Sequence, residues 1–411
     1  MKHLRVYLVP ETFFPLVGGS EKQALAQCQY LRTRGIEATI ITMHFQRASP
    51  AFEVLDGIPV VRVAGTILAW HDRLPALLRR CCYLLALFVL GWRLWRARSM
   101  YDLVHVFQFS LFMLPALAAC RLAHKPLVVA MRCDEPPLKE ERHGRSWAGL
   151  AGLARLGTPA LRLINHQLRQ VRACIVVLST HMRASLERYG LGDNEIRLIP
   201  NGVDLTAFSP CPEQEADALT VVCAAQFRYQ KGLDVLLSAW NFLIEQIPEA
   251  RLILVGDGPL RRPLQRLAAD LGISASVEFA GQCTDVAQQY RRGRIAVLPS
   301  RWEGMPNALL EAMACGRACI ATRVSGSADI LYQEEQGLLV EPEDSHGLAA
   351  ALWLLLSEPG MVQRYGQAAR QHIEQHYAFP YLMEKHIEMY RELCHRQPRQ
   401  TAASMQVVET H

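Results

Sequence analysis

Short apolar runs, separated by turn residues and helix-period segments, recur along this chain, and that alternation constrains the fold more than any other feature. Residues 4–9 are apolar apart from Arg5, a glycine-containing loop follows, residues 21–34 repeat at helical spacing up to Gly35, and residues 38–42 are apolar again. Strand, loop, helix, strand is the unit of a parallel sheet covered by helices. Further runs at 60–63, 103–106, 127–130 and 174–178 continue the series. Strands buried on both faces read as continuous apolar runs of this kind rather than as alternation.

The series restarts beyond Asn201-Gly202-Val203-Asp204 and a segment at 209–218 whose Pro, Glu and Asp mark a linker. Its apolar runs are 220–224, 252–255, 277–279, 295–298 and 318–321. At about 100 to 200 residues per domain, 411 residues hold two. The reading is two consecutive α/β domains, 1–205 and 206–376, with a polar end at 397–411 that is expected to fray.

Composition narrows the function. Half the residues are hydrophobic (50%) and 20% are charged, which excludes disorder over most of the length. Twelve cysteines fall far short of a disulfide scaffold, and Met1-Lys2-His3-Leu4 does not open a secretory signal, so a reduced, cytosolic protein is expected. The net charge of +5 is unevenly spread: residues 1–205 carry 26 Lys and Arg against 15 Asp and Glu, whereas residues 206–411 carry 18 against 24. No basic stretch is interleaved with aromatics as in a nucleic-acid groove, so an anionic membrane surface or an acidic substrate suits the basic half better.

One segment departs from the strand and helix rhythm. Residues 79–96 are apolar and bracketed by Arg79, Arg80, Arg93 and Arg96. The apolar heart is shorter than the roughly 20 residues of a span, which leaves a core helix or a helix that also touches the membrane interface.

The richest stretch follows the run at 295–298. Glu303 and Glu311 stand eight positions apart, Pro306 suits a first helical turn and Gly316 a C-terminal cap, so a helix is predicted over 308–315. Its positive end falls on Gly304-Met305-Pro306-Asn307, where free backbone N–H groups can bind phosphate. Ala308, Glu311, Ala312 and Cys315 share one helical face, so Glu311 is ringed by small residues and open to a ligand hydroxyl. On spacing alone, two solvated glutamates beside a helix start remain the competing reading.

This stretch resembles the E-x7-E region of retaining glycosyltransferases of family four, two-domain enzymes of the GT-B fold that use nucleotide diphosphate sugars. The resemblance implies two Rossmann-like parallel-sheet domains facing across a cleft, with a C-terminal helix near 377–393 packing back on the first. It implies that Glu303 contacts the donor sugar, that Gly304, Met305, Pro306, Asn307, Ala308 and Leu309 contact sugar and phosphate, and that Glu311 binds the ribose. Arg228 and Lys231, after the first run of the second domain, resemble the pair that neutralises the donor diphosphate. A planar Arg fork and a Lys point charge suit a leaving pyrophosphate. Gly18 and Gly19 resemble the glycine loop that faces the donor, and Gln282 belongs to a loop resembling the one that borders the base.

The first domain departs from the family pattern. Many relatives carry a histidine after the strand matching 127–130, but this chain reads Met131-Arg132-Cys133-Asp134. Arg132 and Asp134 resemble a variant that takes this place on the acceptor side, and His105 reads as a structural histidine. No GxGxxG follows the first strand, and neither a P-loop nor a G-x-S-x-G elbow occurs. No metal or cofactor is expected, and the nucleotide sugar enters as a substrate. The expectation is a retaining glycosyltransferase acting on a lipid-linked or envelope polysaccharide acceptor, cytoplasmic and peripheral at the cytosolic membrane face. A GT-B nucleotide-sugar epimerase and a non-catalytic sugar-nucleotide binding protein are the alternatives.

Overall fold

The computed structural model describes residues 4–15, 18–45, 48–68, 75–132, 158–210 and 216–395. Asp134, part of the linker at 211–215, and the tail at 397–411 lie outside the described residues. Two parallel α/β sheets form the molecule, in the GT-B arrangement.

The first sheet holds β1 (Arg5–Val9), β2 (Glu37–Met43), β3 (Phe52–Leu55), β4 (Ile58–Val63), β5 (Leu103–Val106), β6 (Leu127–Met131), β7 (Cys174–Val177) and β8 (Glu195–Leu198). Its order is β3-β4-β2-β1-β5-β6-β7-β8, parallel throughout except for the antiparallel β3–β4 hairpin at one edge. Strands β5, β6 and β7 are buried at every position, as their unbroken apolar runs require. β3 and β8 escape the sequence reading because they are edge strands with polar and half-exposed positions. Helices α1 (Gly19–Thr33), α2 (Ala76–Arg96), α3 (Met113–Ala123), α4 (Thr158–Gln170) and α5 (Thr180–Arg188) connect them.

The second sheet holds β9 (Asp217–Ala224), β10 (Arg251–Val255), β11 (Val277–Gly281), β12 (Gly293–Leu298), β13 (Ala318–Thr322) and β14 (Gly337–Val340) in the order β11-β10-β9-β12-β13-β14. Every neighbouring pair is parallel. Its helices include α6 (Leu233–Ile244), α7 (Asn307–Ala314), α8 (Ser345–Ser357) and α9 (Pro359–His376). α7 ends as its sequence implies: Gly316 takes φ 70°, and the Arg317 N–H closes on the Ala312 carbonyl at 3.1 Å.

The last helix, α10 (Phe379–His395), returns to the first domain. Leu382, Met383, Ile387, Tyr390 and Leu393 join Val6, Leu8, Ala24 and Leu31 in one apolar core. The two connections between domains run side by side, with Val203 N–H donating to the Tyr377 carbonyl at 2.9 Å and Phe379 N–H to the Val203 carbonyl at 3.0 Å. Gly202 is required there, because a Cβ would stand 2.6 Å from Phe379 Cα.

Candidate active site

In an open parallel sheet, ligands bind beyond the carboxyl ends of the strands where the connection order reverses. In the second sheet that point lies between β9 and β12, since β10 extends on one side and β13 on the other. The loop after β9 carries Arg228 and Lys231, and the loop after β12 carries residues 300–306. In the first sheet the reversal lies between β1 and β5. Its β1 loop leads to Gly18 and Gly19, and Arg132 directly follows β6, the strand beyond β5.

On the donor side, Lys231 Nζ lies 2.5 Å from Glu303 Oε1, which also accepts a hydrogen bond from Ser300 Oγ at 2.7 Å. Glu303 is buried, and its own carbonyl accepts from Ser325 Oγ at 2.8 Å, so both ends of the residue are fixed. The short helical turn Tyr229–Lys231 that presents the lysine is pinned from the same loop. Gln230 Nε2 donates to the Trp302 carbonyl at 2.9 Å, and Arg301 N–H donates to the Gln230 carbonyl at 2.8 Å. Arg301 adds a planar fork to Asp234 at 2.8 Å on both nitrogens, and its guanidinium lies 3.9 Å from the Tyr229 ring centre. Gly232 turns the chain at φ 60°, where a Cβ would stand 2.0 Å from the Pro299 carbonyl oxygen.

α7 begins without a side-chain cap, and with the Leu309 N–H closing on the Pro306 carbonyl at 3.0 Å, the N–H groups of Asn307 and Ala308 are the ones that can meet a ligand. Glu311 is half-buried one turn further on. Desolvation pushes its carboxyl up to about 7, opposed by the charge of Lys22 across the cleft on α1. Pro306 and Met305 are buried, Ala308 is half-buried and accepts from Tyr290 Oη at 2.9 Å through its carbonyl, and Leu309 packs in the core.

The two domains touch at the mouth of this site. Asn201 Nδ2 donates to Asn307 Oδ1 at 2.8 Å, while Asn201 Oδ1 accepts from Arg132 Nη1 at 2.9 Å. A Cβ on Gly19 would meet Asn307 Nδ2 at 3.1 Å, and one on Gly304 would stand 2.4 Å from the Arg132 carbonyl oxygen. Glycine at 304 therefore lets the donor loop lie against the first domain's backbone. A second contact closes the other side, where Asp329 accepts from Thr180 N–H at 2.6 Å and from Thr180 Oγ1 at 2.8 Å.

Beneath Arg132 lies a buried polar cluster. The Tyr390 hydroxyl accepts from Gln27 Nε2 at 2.6 Å and lies 2.6 Å from His105 Nδ1, while Phe107 stacks between His105 and the Arg132 guanidinium. Burial, then the neighbouring His386 and Arg132, holds His105 well below the usual histidine range, and burial brings His386 to about 4. Both imidazoles are buried, and His105 Nε2 has no hydrogen-bond partner among the described residues, so His105 is only half satisfied by its contact with Tyr390. Nearby, Glu21 accepts from Thr12 Oγ1, and the half-buried Glu11 carboxyl, raised by desolvation, accepts from Tyr83 Oη.

The structure thus brings Lys231, Glu303, Gly304, Asn307, Gly19 and Arg132 to one cleft, with Glu311 one turn along α7. Arg228 and Gln282 are exposed on loops at the rim, and Gly18 sits against Glu21 at the start of α1. Sequence reasoning did not single out Ser300, Asn201 or Asp329 as site residues. Asn201 opens a motif noted only as entering the linker, and its position between Arg132 and Asn307 exists only after both domains fold.

The architecture is that of the two-domain GT-B fold, with the cleft between its domains. Residues 17–207 match the model of Glycosyltransferase Family 4 and residues 218–358 that of Glycosyl transferases group 1. The chain is a glycosyltransferase of this family 4 and group 1 type. It is 24% identical to the sulfoquinovosyl transferase SQD2 of Arabidopsis thaliana, over 91% of this chain and 71% of that protein. It is 30% identical to the GDP-mannose-dependent alpha-(1-6)-phosphatidylinositol monomannoside mannosyltransferase of Mycolicibacterium smegmatis, over 42% of this chain and 50% of that protein. Anabaena HepE, solved in complex with UDP and glucose, superposes with a TM-score of 0.73 at 18% identity, covering 95% of this chain and all of HepE (100%), a likeness of fold.

Proposed function

We propose that this chain is a retaining glycosyltransferase that moves a sugar from a nucleoside diphosphate sugar to a lipid-linked or envelope polysaccharide acceptor, at the cytosolic face of a membrane. The observation that carries this reading is the Lys231–Glu303 pair at the donor sheet's reversal point, facing Arg132 and Gly19 across the cleft. A nucleoside diphosphate gains negative charge as it leaves, and Lys231 with Arg228 neutralises it. Glu303 accepts from hydroxyls of the transferred sugar, and Ser300 and Lys231 hold it in position before the donor arrives. The N–H groups of Gly304, Met305, Asn307 and Ala308 take sugar and phosphate oxygens, Leu309 packs behind them, Glu311 takes the ribose hydroxyls, Gly18 and Gly19 let the first domain approach the donor, and Gln282 borders the base. Arg132, with Asp134 beyond it in the chain, faces the acceptor. The Mycolicibacterium relative, by its name, acts on a phosphatidylinositol mannoside, which supports a lipid-borne acceptor here.

The test incubates the protein with UDP-, GDP- and ADP-sugars, with and without membrane lipid extract, and follows nucleoside diphosphate release and the anomeric proton of the product. Release that requires the extract and an anomer matching the donor is expected. Release of free sugar without acceptor, or an inverted anomer, overturns the reading.

A further inference from the structure

α2 settles neither into the core nor into a span. Ala86, Leu87, Leu90 and Leu94 are buried against the sheet, while Leu84, Phe88, Trp92 and Trp95 line the opposite side at helical spacing and are exposed, Phe88 by 71%. Seven of the seventeen large hydrophobic residues exposed among the described residues lie on this one helix. Single exposed apolar residues are ordinary, but a continuous stripe is not. α3 packs beside α2 and adds exposed Leu122, and α4, next in the layer, adds exposed Leu163.

Charge on this layer has one sign. α2 carries four arginines, α3 one and α4 two, and none of the three carries an aspartate or glutamate. On the opposite face of the sheet, α1 and α10 together balance four glutamates against four lysines and arginines. The Arg96 guanidinium lies 5.6 Å from the Trp92 ring centre and that of Arg98 lies 4.7 Å from Trp95, the aromatic and cation pairing that suits lipid headgroup level. No helix among the described residues is long and apolar enough to cross a membrane.

We infer that the outer face of α2, with α3 and α4 beside it, is a docking surface for an anionic lipid bilayer, on which α2 lies in the plane of the headgroups with Phe88, Trp92 and Trp95 inserted. A second copy of the chain fits less well, because a two-fold contact sets each patch against its own positive charge. This deepens the membrane-borne acceptor proposed above and rests on it for its purpose alone. Binding is measured without donor or acceptor, so failed transfer and failed docking are read separately.

The experiment is sedimentation of the full chain with vesicles of phosphatidylcholine alone and of phosphatidylcholine with phosphatidylglycerol, at low and high salt. Binding to the anionic vesicles at least tenfold above the neutral ones, and weakened by salt, is expected. Arg79→Gln and Arg80→Gln each lower partitioning about fivefold, the equivalent of about 1 kcal/mol. Phe88→Ser with Trp92→Ser lowers it more than tenfold while the thermal shift given by UDP or GDP is unchanged. Quenching of tryptophan by brominated lipid in the parent chain is reduced by Trp92→Phe with Trp95→Phe. Absence of binding, equal binding to both vesicles, or insensitivity to the serine pair overturns the inference. So does a concentration-dependent dimer that the serine pair abolishes, which assigns the face to a second copy.

Discussion

At the scale of single residues, the site rests on carboxylates and cations whose partners the fold supplies. Lys231→Ala and Arg228→Ala are each expected to lower transfer by about 2 to 4 kcal/mol of transition-state stabilisation, the scale of losing a donor aimed at developing charge. Steady-state kinetics on folded variants measures this, and activity within a few-fold of the parent removes the diphosphate role. Glu303 and Glu311 separate differently: Glu311→Gln should weaken binding of free UDP or GDP, whereas Glu303→Gln should spare the bare nucleotide and reduce turnover. Equal losses of nucleotide affinity in titration calorimetry contradict these roles. Burial gives Glu311 a pH signature as well. Its folded value of about 7 stands above the ordinary 4.5, so between those values the folded chain holds a proton the unfolded chain has lost. This group's contribution to stability therefore falls as pH rises through that window. Ionised, Glu311 accepts on both oxygens and can take two ribose hydroxyls, whereas the protonated carboxyl gives up one acceptor position to its own proton, so the affinity advantage of the parent over Glu311→Gln should grow as pH rises through about 7. A difference that stays constant with pH removes the titration of Glu311 from nucleotide binding. The spacing of the two glutamates is legible in the sequence, but the raised carboxyl of Glu311 is not, because the burial responsible is tertiary.

At the scale of elements, glycines permit close passages that no side chain tolerates. Gly304→Ala would place a methyl 2.4 Å from the Arg132 carbonyl oxygen and force the donor loop away from the first domain. The expected result is reduced kcat together with weaker binding of the nucleoside diphosphate, since residue 304 belongs to the loop whose N–H groups take phosphate. Normal turnover in this variant shows that the approach of 304 to 132 is dispensable. Gly202→Val acts instead on stability: the added atoms run into Phe379 where the two connections pair, and overpacking of this kind costs about 1 to 3 kcal/mol, read as a lowered thermal midpoint. Central strands and the α7 boundaries were readable because uninterrupted apolar runs, Pro306 and Gly316 mark them locally. The edge strands β3, β8 and β14 were not singled out, and the polar alternation in the first two resembles that of a loop.

At the scale of the whole molecule, the domains are held by two connections and by contacts at the cleft mouth, so closure is set by few groups. Asp329→Ala removes both bonds from Thr180 on α5 and should favour an opened cleft, raising the KM for donor more than it lowers kcat. Small-angle scattering should show a larger radius for this variant without nucleotide, and an unchanged radius and KM exclude a clamp at this position.

The chain's order of apolar runs determined two α/β domains, because strands buried on both faces leave a local mark that needs no partner to be read. The glutamate spacing, the Arg228 and Lys231 pair and the two glycines at the start of α1 were likewise local, and the resemblance to a glycosyltransferase family rested on them. Tertiary structure alone decided that Lys231 meets Glu303 across 72 positions, that Asn201 joins Arg132 to Asn307, and that α2 buries one apolar side while showing the other to solvent. The physical reason is common to all three: hydrogen bonding, desolvation and burial depend on what lies within a few ångströms, and in a parallel sheet with crossover helices those neighbours come from distant parts of the chain.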